Sequence, residues 1–585
     1  MKQDIIKLQE FVKDNAIDAY VVFTSDDHGS EYIVDRFKTR EFLCGFTGSA
    51  GTLVVTKDNA YLWTDGRYFI QAAEQLKATD TVLMKARESG VPTIFEFVKT
   101  LSDTPKIAFD FKTATVEFVE ALKKEVKGVQ LVDCGEIIDR IWTDRPQIEP
   151  HKAWFLSDNA AGQSVKSKIA DLQKDVEKYG CEACLVSSLD DIAWLLNMRG
   201  EDIQYNPVNY AYAIVTSGGA TLFADERKFN AADRRILVEN GVELRAYDEV
   251  YDAVCQIDGA VLIDTEKTNY ALYSRIKNAR EIDVFPTTAR KAVKNAVEIK
   301  NMKKAHVEDG VAVVRFMRYL KERAGKEEMS EISLADKLEE FRRLSKNFLD
   351  LSFDTICGYA ANGAIVHYSA TPETNKKVEN HGLLLVDSGA QYRYGTTDIT
   401  RTFAMGKVSK EEKRAFTVVL KSHIALARAT FLKGTSGARL DMISREPMYE
   451  YGMDFNHGTG HGVGYLLNVH EGPQNISPRA AAPRFAVQPG MITSNEPGFY
   501  KEGKFGIRHE NLVLCVEKEK TECGTFCKFE TITLVPFDLD AIDVNLLDEG
   551  ERAWLNEYHE RVRKVIGKHL EGKDLKFLEK ATRII

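Results

Sequence analysis

The chain has 585 residues, too many for one hydrophobic core at ~100–200 residues per domain, so three or four domains are expected. A net charge of −9 disfavours nucleic acid and anionic membrane surfaces as partners, and no apolar run approaches the ~18–20 residues needed to span a bilayer. Nine cysteines, an odd number scattered among strand-like runs, suit a reducing compartment, so a cytoplasmic location is expected.

Met1-Lys-Gln-Asp-Ile-Ile opens an amphipathic helix through Leu8, Phe11 and Val12, unlike a secretory signal. The first half then repeats itself. Ala19-Tyr-Val-Val-Phe-Thr-Ser-Asp-Asp27 parallels Ala183-Cys-Leu-Val-Ser-Ser-Leu-Asp-Asp191, and the stretch 51–67 parallels 211–227. Each copy reads as a strand, a two-strand hairpin with an Asn/Gly-type turn, an Asp-x-Arg and a helix. Asp65 and Asp225 could pass for catalytic acids. At equivalent turn positions, each with an arginine two residues on, they read as local structural ion pairs. Cys181-Glu-Ala-Cys184 leads into an apolar strand with no second pair at zinc spacing, so neither a redox nor a zinc role is expected. Pro146 and Pro150 mark a first junction, Phe285-Pro286 a second.

From about Lys291 a long amphipathic helix carries Val293, Val297, Met302 and Ala305, continued after Gly310 by Val313, Val314, Met317 and Leu320. Asn362 to Tyr368 reads as an apolar strand bearing His367. Gly382-Leu-Leu-Leu-Val386 is a buried-strand pattern ending at Asp387, and Asp398 to Phe403 is a second; a hairpin would bring the two aspartates to one face. His457-Gly-Thr-Gly-His461-Gly-Val-Gly464 lacks both the dinucleotide and the P-loop pattern, and its glycines would let the backbone pass close to a metal or substrate. Val469-His470-Glu471-Gly472-Pro473 reads as a strand end and turn. Met491 to Glu496, the Pro497-Gly498 turn and Gly506 to Cys515 form a second hairpin that would oppose Glu496 and Glu510. In the tail, Trp554, Leu555, Tyr558, Val562, Val565, Ile566 and Leu570 recur at helical spacing, either capping their own domain or making a dimer contact.

Asp387, Asp398, His461, Glu496 and Glu510 form a candidate ligand set. Four carboxylates and one imidazole suit a pair of hard-to-borderline divalent cations better than a structural zinc, which favours thiolates. Ionised carboxylates at buried strand positions need a cation. Two ions ~3.5–4 Å apart can make hydroxide from water at neutral pH, so hydrolysis is the expected chemistry. Three further histidines, His367, His457 and His470, point to proton shuttling and substrate hydrogen bonding.

The segments VDSGAQYRYGTTDITRTF, HGTGHGVG, VHEGP, SNEPGFY and GIRHEN resemble the signature of the pita-bread metallopeptidases. Together with Ile141 to Pro146 and Lys291 to His306, they most resemble the three-domain aminopeptidase P (Xaa-Pro aminopeptidase) branch over nearly the whole length. The resemblance implies an α/β (α+β) chain: two repeated creatinase-like domains at 1–148 and 149–290, then a pita-bread catalytic domain at 291–585 with a helical tail. It implies that Asp387 chelates one ion, that His461 and Glu496 hold the other, and that Asp398 and Glu510 bridge both. A water or hydroxide between the ions would be the nucleophile, with Glu496 accepting its proton. His367 and His457 would be catalytic on the substrate side, His470 would line the proline pocket, and Arg508 would orient Glu510 or its hydrogen-bond network beside the substrate. Manganese is the implied ion, with cobalt or zinc possible in a carboxylate-rich site. The implied substrates are peptides with proline second, whose scissile bond is a tertiary amide without an N–H, and the implied assembly is a homodimer. Around Gly358-Tyr-Ala-Ala361 the sequence departs from the Gly-Pro that relatives often carry before Asn-Gly. Prolidases and methionyl aminopeptidases share the metal set, but the duplicated N-terminal unit is unlike their shorter chains. Non-enzymatic pita-bread binding modules usually lose ligands and carry charged extensions, whereas this chain keeps all five and has no charged tail.

Overall fold

The repeat read in the sequence becomes two six-stranded sheets of one strand order. These are seen in a computed structural model that describes residues 3–77 and 79–585; Met1 and Lys2, where the expected first helix opens, lie outside them. That helix runs Gln3–Asp14, with Ile5, Leu8 and Val12 buried. In the first sheet, β1 (Ala19–Val22) is central, β2 (Thr52–Thr56), β3 (Ala60–Thr64) and β4 (Thr81–Lys85) lie to one side, and β5 (Lys106–Phe109) and β6 (Gln130–Asp133) to the other. After a two-residue strand β7 (Trp154–Phe155), β8 (Ala183–Val186) takes the central place in the second sheet. A short β9 (Met198–Arg199) pairs with β7. Then β10 (Ala211–Thr216), β11 (Gly219–Ala224) and β12 (Val242–Arg245) lie on one side of β8, and β13 (Val261–Ile263) and β14 (Ala279–Glu281) on the other. Registers agree as well: β1 is antiparallel to β2 and parallel to β5, as β8 is to β10 and β13. All four residues of β1 and of β8 are buried, which is why both read as unbroken apolar runs.

The two Asp-x-Arg sequences are local ion pairs, as expected. Arg67 Nη2 lies 2.8 Å from Asp65 Oδ2, and Arg227 Nε lies 3.0 Å from Asp225 Oδ2. Each aspartate also accepts from the backbone N–H two residues on, a turn-forming bond that explains its recurrence at the end of a strand. Both sheets belong to one compact unit, which comprises the described residues up to Asp158 and Gln163–Thr287; a second unit comprises Asn159–Gly162 and Thr288–Ile585.

In the second unit the long helix begins at Ala296, not near Lys291. Asn295 stops it there: its side chain accepts from the N–H groups of Val297 (2.9 Å) and Glu298 (3.0 Å), and Glu298 accepts from Asn295 N, a reciprocal capping box. Val293 therefore falls outside the apolar stripe, while Met302, Ala305, Val313, Val314, Met317 and Leu320 are buried in it. A three-stranded sheet follows from β16 (Ile356–Tyr359), β17 (Leu383–Ser388) and β20 (Ile399–Ala404), with β17 in the middle. The expected hairpin between β17 and β20 is an antiparallel pair, but no simple turn joins them. The intervening β18 (Ala390–Tyr392) and β19 (Gly395–Thr396) pair with each other and with β15 (Phe348–Leu351) in a separate sheet.

The remaining strands form a six-stranded sheet in the order β21 (Thr430–Leu432), β28 (Gly524–Thr531), β27 (Asn511–Thr521), β24 (Ile492–Asn495), β22 (Gly460–Gly462), β23 (Glu471–Ile476). A separate hairpin, β25 (Gly498–Lys501) with β26 (Phe505–Arg508), joins β24 to β27. The tail helix Glu549–Ile566 starts at an Asp548 cap and buries Leu555, Tyr558, Val562 and Ile566 against Phe416, Leu420 and Phe537 of its own unit. Of the two readings of that stripe, capping its own domain accounts for these side chains.

Two expectations fail locally. The segment carrying His367 is not a strand: after β16 the chain turns through a 3-10 helix, Ala360–Ala364, and His367 lies in the turn that follows. Ala360, at φ 50°, diverts the chain there, a left-handed backbone that glycine adopts without steric cost. His470 precedes β23 and does not end a strand.

Candidate metal centre

Strand pairing brings the five candidate ligands together. Asp387 lies near the end of the central strand β17, opposite Ile356 on one side and Thr400 on the other. Asp398 stands immediately before β20, one step beyond the Ser388–Ile399 pair. Asn495 on β24 opposes Asn511 on β27, so Glu496 and Glu510 face each other where that ladder opens. His461 sits in β22, wedged between β23 and β24. The glycines around it are required by this wedge: a Cβ on Gly460 would lie 2.0 Å from the Ser494 carbonyl oxygen, and one on Gly462 2.4 Å from that of Glu471.

His461 Nε2 lies 3.4 Å from Asp398 Oδ2 and 3.4 Å from Glu496 Oε1. The ligand atoms of Asp398, His461 and Glu510 all fall within 4.8 Å of one another. Donor atoms ~2.1 Å from a shared ion stand roughly 3–3.5 Å apart, so this spacing fits a divalent cation. His461 Nδ1 is 2.9 Å from the Gly462 carbonyl, which places a proton on Nδ1 and turns Nε2 toward the carboxylates, the atom that would serve as the ligand.

Two buried oxygens complete the test of fit. Asp387 Oδ2 accepts from Arg508 Nη2 at 2.6 Å and Glu510 Oε2 from Thr400 Oγ1 at 2.8 Å, yet Asp387 Oδ1 and Glu510 Oε1 have no hydrogen-bond partner among the described residues. Buried carboxylate oxygens without donors, in a cluster of like charges, are what a cation satisfies. The electrostatics agree. Burial raises the Asp387 carboxyl to about 6; Arg508 opposes this and the Asp398 charge adds to it. Burial, then the charges of Asp398, Asp387 and Glu496, push Glu510 well above the usual carboxylate range. Burial disfavours charge on His461, but the Asp398 hydrogen bond and the Glu496 and Asp398 charges outweigh it and raise the imidazole to about 9.

Arg508 reaches the hydrogen-bond network of Glu510, as expected, through the Thr400 hydroxyl that donates to Glu510, and it also holds Asp387 directly. It is 2% exposed, and its guanidinium donates to Asp387, to the Tyr500 hydroxyl at 2.7 Å, to Thr400 Oγ1 at 3.2 Å and to the Val366 carbonyl at 3.4 Å. Its place on β26, at the end of the hairpin next to Asp387, explains the direct contact with that carboxylate. Tyr500, from the partner strand β25, was not singled out by sequence reasoning, although it ends the SNEPGFY segment. Its hydroxyl lies 2.8 Å from His457 Nε2, and His457 Nδ1 lies 2.7 Å from the Gly458 carbonyl. A continuous chain therefore runs Asp387–Arg508–Tyr500–His457. Burial raises the Tyr500 phenol to about 12, so it stays a neutral donor. His470 packs edge-on against His461 with ring centroids 4.3 Å apart. His367 is tied to the site through its neighbour Val366, whose carbonyl Arg508 holds. Sequence reasoning also passed over Arg401, which is buried and donates to the Glu510 carbonyl at 2.6 Å, to Asn511 Oδ1 and to Tyr558 of the tail helix.

Comparison with known proteins matches this architecture segment by segment. Residues 5–141 and 144–298 each fit the creatinase/prolidase N-terminal domain, residues 300–517 the metallopeptidase family M24, and residues 525–585 the C-terminal region of peptidase M24. A probable Xaa-Pro aminopeptidase P from Coprinopsis cinerea is 40% identical over 96% of this chain and 94% of its own length. The chain belongs to the Xaa-Pro aminopeptidase P family of M24 metallopeptidases. A crystal structure from the same family, an X-prolyl aminopeptidase from Caenorhabditis elegans described as a cytosolic enzyme with a di-nuclear active site, superimposes with a TM-score of 0.95 at 36% identity, covering 100% of this chain and 99% of the other. An Xaa-Pro dipeptidase from Bacillus anthracis is 25% identical with a TM-score of 0.52 and covers only 64% of this chain, though 99% of its own. The fold is thus the expected one, two creatinase-like α/β repeats before a pita-bread domain.

Proposed function

We propose that this chain is a metalloaminopeptidase that releases the N-terminal residue from peptides with proline at the second position. The observation behind this reading is the convergence of four carboxylates and one imidazole, with two buried oxygens that have no donor among the described residues, in a chain matched end to end by an X-prolyl aminopeptidase. We assign Asp387 to one ion, His461 and Glu496 to the other, and Asp398 and Glu510 to both. When bound, the ions would supply Lewis acidity and lower the pKa of water toward neutrality. Manganese is our assignment for both, and cobalt or zinc would suit the same donors.

The chain's own side chains have separable tasks. Glu496, whose Oε1 accepts from Ser494 Oγ at 3.0 Å, takes the proton from the attacking water. His367 and the Tyr500–His457 pair hydrogen-bond the substrate and the oxyanion, His470 lines the proline pocket beside His461, and Arg508 holds Asp387 in place. We place the domains at 1–148, 149–290 and 291–585: the first sheet ends at Asp133 and the second at Glu281, before the long helix begins at Ala296. A cytoplasmic location is consistent with the cytosolic relative, and no described helix is long and apolar enough to cross a membrane. For assembly we keep the homodimer that the family resemblance implies; Leu555, Tyr558, Val562 and Ile566 of the tail helix are buried in their own unit, while Trp554 and Val565 are partly buried.

Release of the first residue from Xaa-Pro-Xaa, Xaa-Pro and Met-Ala-Xaa peptides, after manganese is returned to metal-stripped protein, tests the reading. Cleavage of the first alone is expected. Turnover of Xaa-Pro dipeptides with longer peptides spared would make it a prolidase, and removal of methionine from Met-Ala peptides would discard the proline pocket.

A further inference from the structure

Glu331 is fully buried, yet it belongs to neither the ligand set nor the Arg508 chain. It is the first residue of the helix Glu331–Arg342. Its Oε1 accepts from Tyr359 N at 2.7 Å and from Asn362 Nδ2 at 3.0 Å. Its Oε2 accepts from Tyr368 OH at 2.8 Å, Lys376 N at 2.8 Å and Asn362 Nδ2 at 3.0 Å. All of these donors are neutral amides or a phenol. A buried carboxylate is thus solvated by hydrogen bonds drawn from a single stretch of chain, and removing its charge or one donor leaves polar groups unmatched.

The placement of those donors matters most. Tyr359, Asn362 and Tyr368 bracket the turn in which His367 stands. A histidine on a strand is fixed by ladder bonds on either side; this one is not on a strand, so the turn needs another anchor. On its far side the turn is gripped at the Val366 carbonyl by Arg508, and its backbone meets β26 so closely that a Cβ on Gly506 would lie 1.7 Å from the Gly363 carbonyl oxygen. We propose that Glu331 is a positioning residue for His367: its carboxylate replaces the missing ladder and sets where that imidazole stands relative to the Asp387–Arg508 pair. The proposal rests on the reading of His367 as a substrate-side group.

A double-mutant cycle separates positioning from plain stability. In Glu331→Gln the amide offers one acceptor where two oxygens served, and turns an NH2 toward the N–H donors. With manganese-loaded protein and an Xaa-Pro-Xaa peptide, this variant should keep the parent's metal content while kcat falls about ten- to a hundredfold, the scale of a misplacement of roughly 1 Å. In the His367→Ala background the same change should alter kcat by less than about twofold, because the group it positions is gone. Losses that multiply in the double variant, or metal loss in Glu331→Gln alone, would overturn the proposal. Parent-like kcat in His367→Ala alone would overturn the reading beneath it, which is a distinct failure. If Glu331→Gln does not fold, Tyr368→Phe, which removes one donor from the same carboxylate, should show the same non-additivity with a smaller loss; full additivity there would likewise overturn it.

Discussion

Tyr500 shows how a single hydroxyl can join two functions in this site. It accepts from Arg508, which holds Asp387, and contacts His457, which we assign to the substrate side. Tyr500→Phe cuts that chain while leaving every metal ligand in place, so metal content should stay at the parent's level while kcat falls about ten- to a hundredfold. His457→Ala and His367→Ala should also keep metal but lose roughly 10²–10⁴ in turnover, the range of a positioned proton-transfer or oxyanion group. Protein that is metal-free in any of the three would show that a ligand had been mistaken for a neighbour. At this scale the convergence of the five candidate ligands was legible in the sequence, because aspartate and glutamate at strand ends and a histidine between glycines leave few other uses. For Arg508, the two-residue spacing from Glu510 was a sound guide to the Thr400 hydroxyl that both residues share, whereas its bond to Asp387 on β17 depends on strands brought together from 121 residues away and was not legible.

Strands and turns set those residues, and β22 is the most constrained of them. Gly460→Ala would drive a methyl into the Ser494 carbonyl, so β22 must move and His461 with it. We expect a loss of metal and a stability cost of about 1–3 kcal/mol by denaturation. Gly458→Ala, two residues away, meets nothing closer than 3.4 Å and should retain metal. Equal behaviour of the two variants would contradict this account of the glycine-rich segment. Ala360 offers the converse case: at φ 50° it holds a conformation suited to glycine, and Ala360→Gly should raise the unfolding free energy by up to about 1 kcal/mol, read as a higher denaturation midpoint. The paired hairpins were readable from alternation and turn residues. The strand expected at His367 and the early helix start near Lys291 were not, because both are decided by single side chains: Asn295 as a cap, and the Glu331 carboxylate that gathers Tyr359, Asn362 and Tyr368 into a turn.

Across the molecule, the duplicated sheet was visible as a sequence repeat because buried central strands and Asp-x-Arg turns have few alternatives; the gathering of both copies into one compact unit left no comparable signal in the sequence. Titration of the metal site should also be visible in overall stability. Burial raises Asp387 to about 6, so between pH 3.8 and 6 the metal-free folded chain holds a proton that the unfolded chain releases. That group's contribution is therefore present at low pH and is lost as pH rises through about 6. A bound cation reverses the balance, so the rise in melting temperature on adding manganese should be large at pH 7.5 and shrink toward pH 5. The difference between loaded and stripped protein cancels groups remote from the site, such as His28, which burial holds near 4. A manganese effect independent of pH would count against carboxylate ligation. The central claim is that these five side chains form one dinuclear catalytic centre, and its most direct test is a manganese titration of metal-stripped protein, read as release of the first residue from an Arg-Pro-Pro peptide. We predict that activity saturates at about two ions per chain, and that Asp398→Asn, correctly folded, binds fewer and stays inactive. Full activity of the stripped protein, or undiminished metal content and turnover in Asp398→Asn, would contradict it.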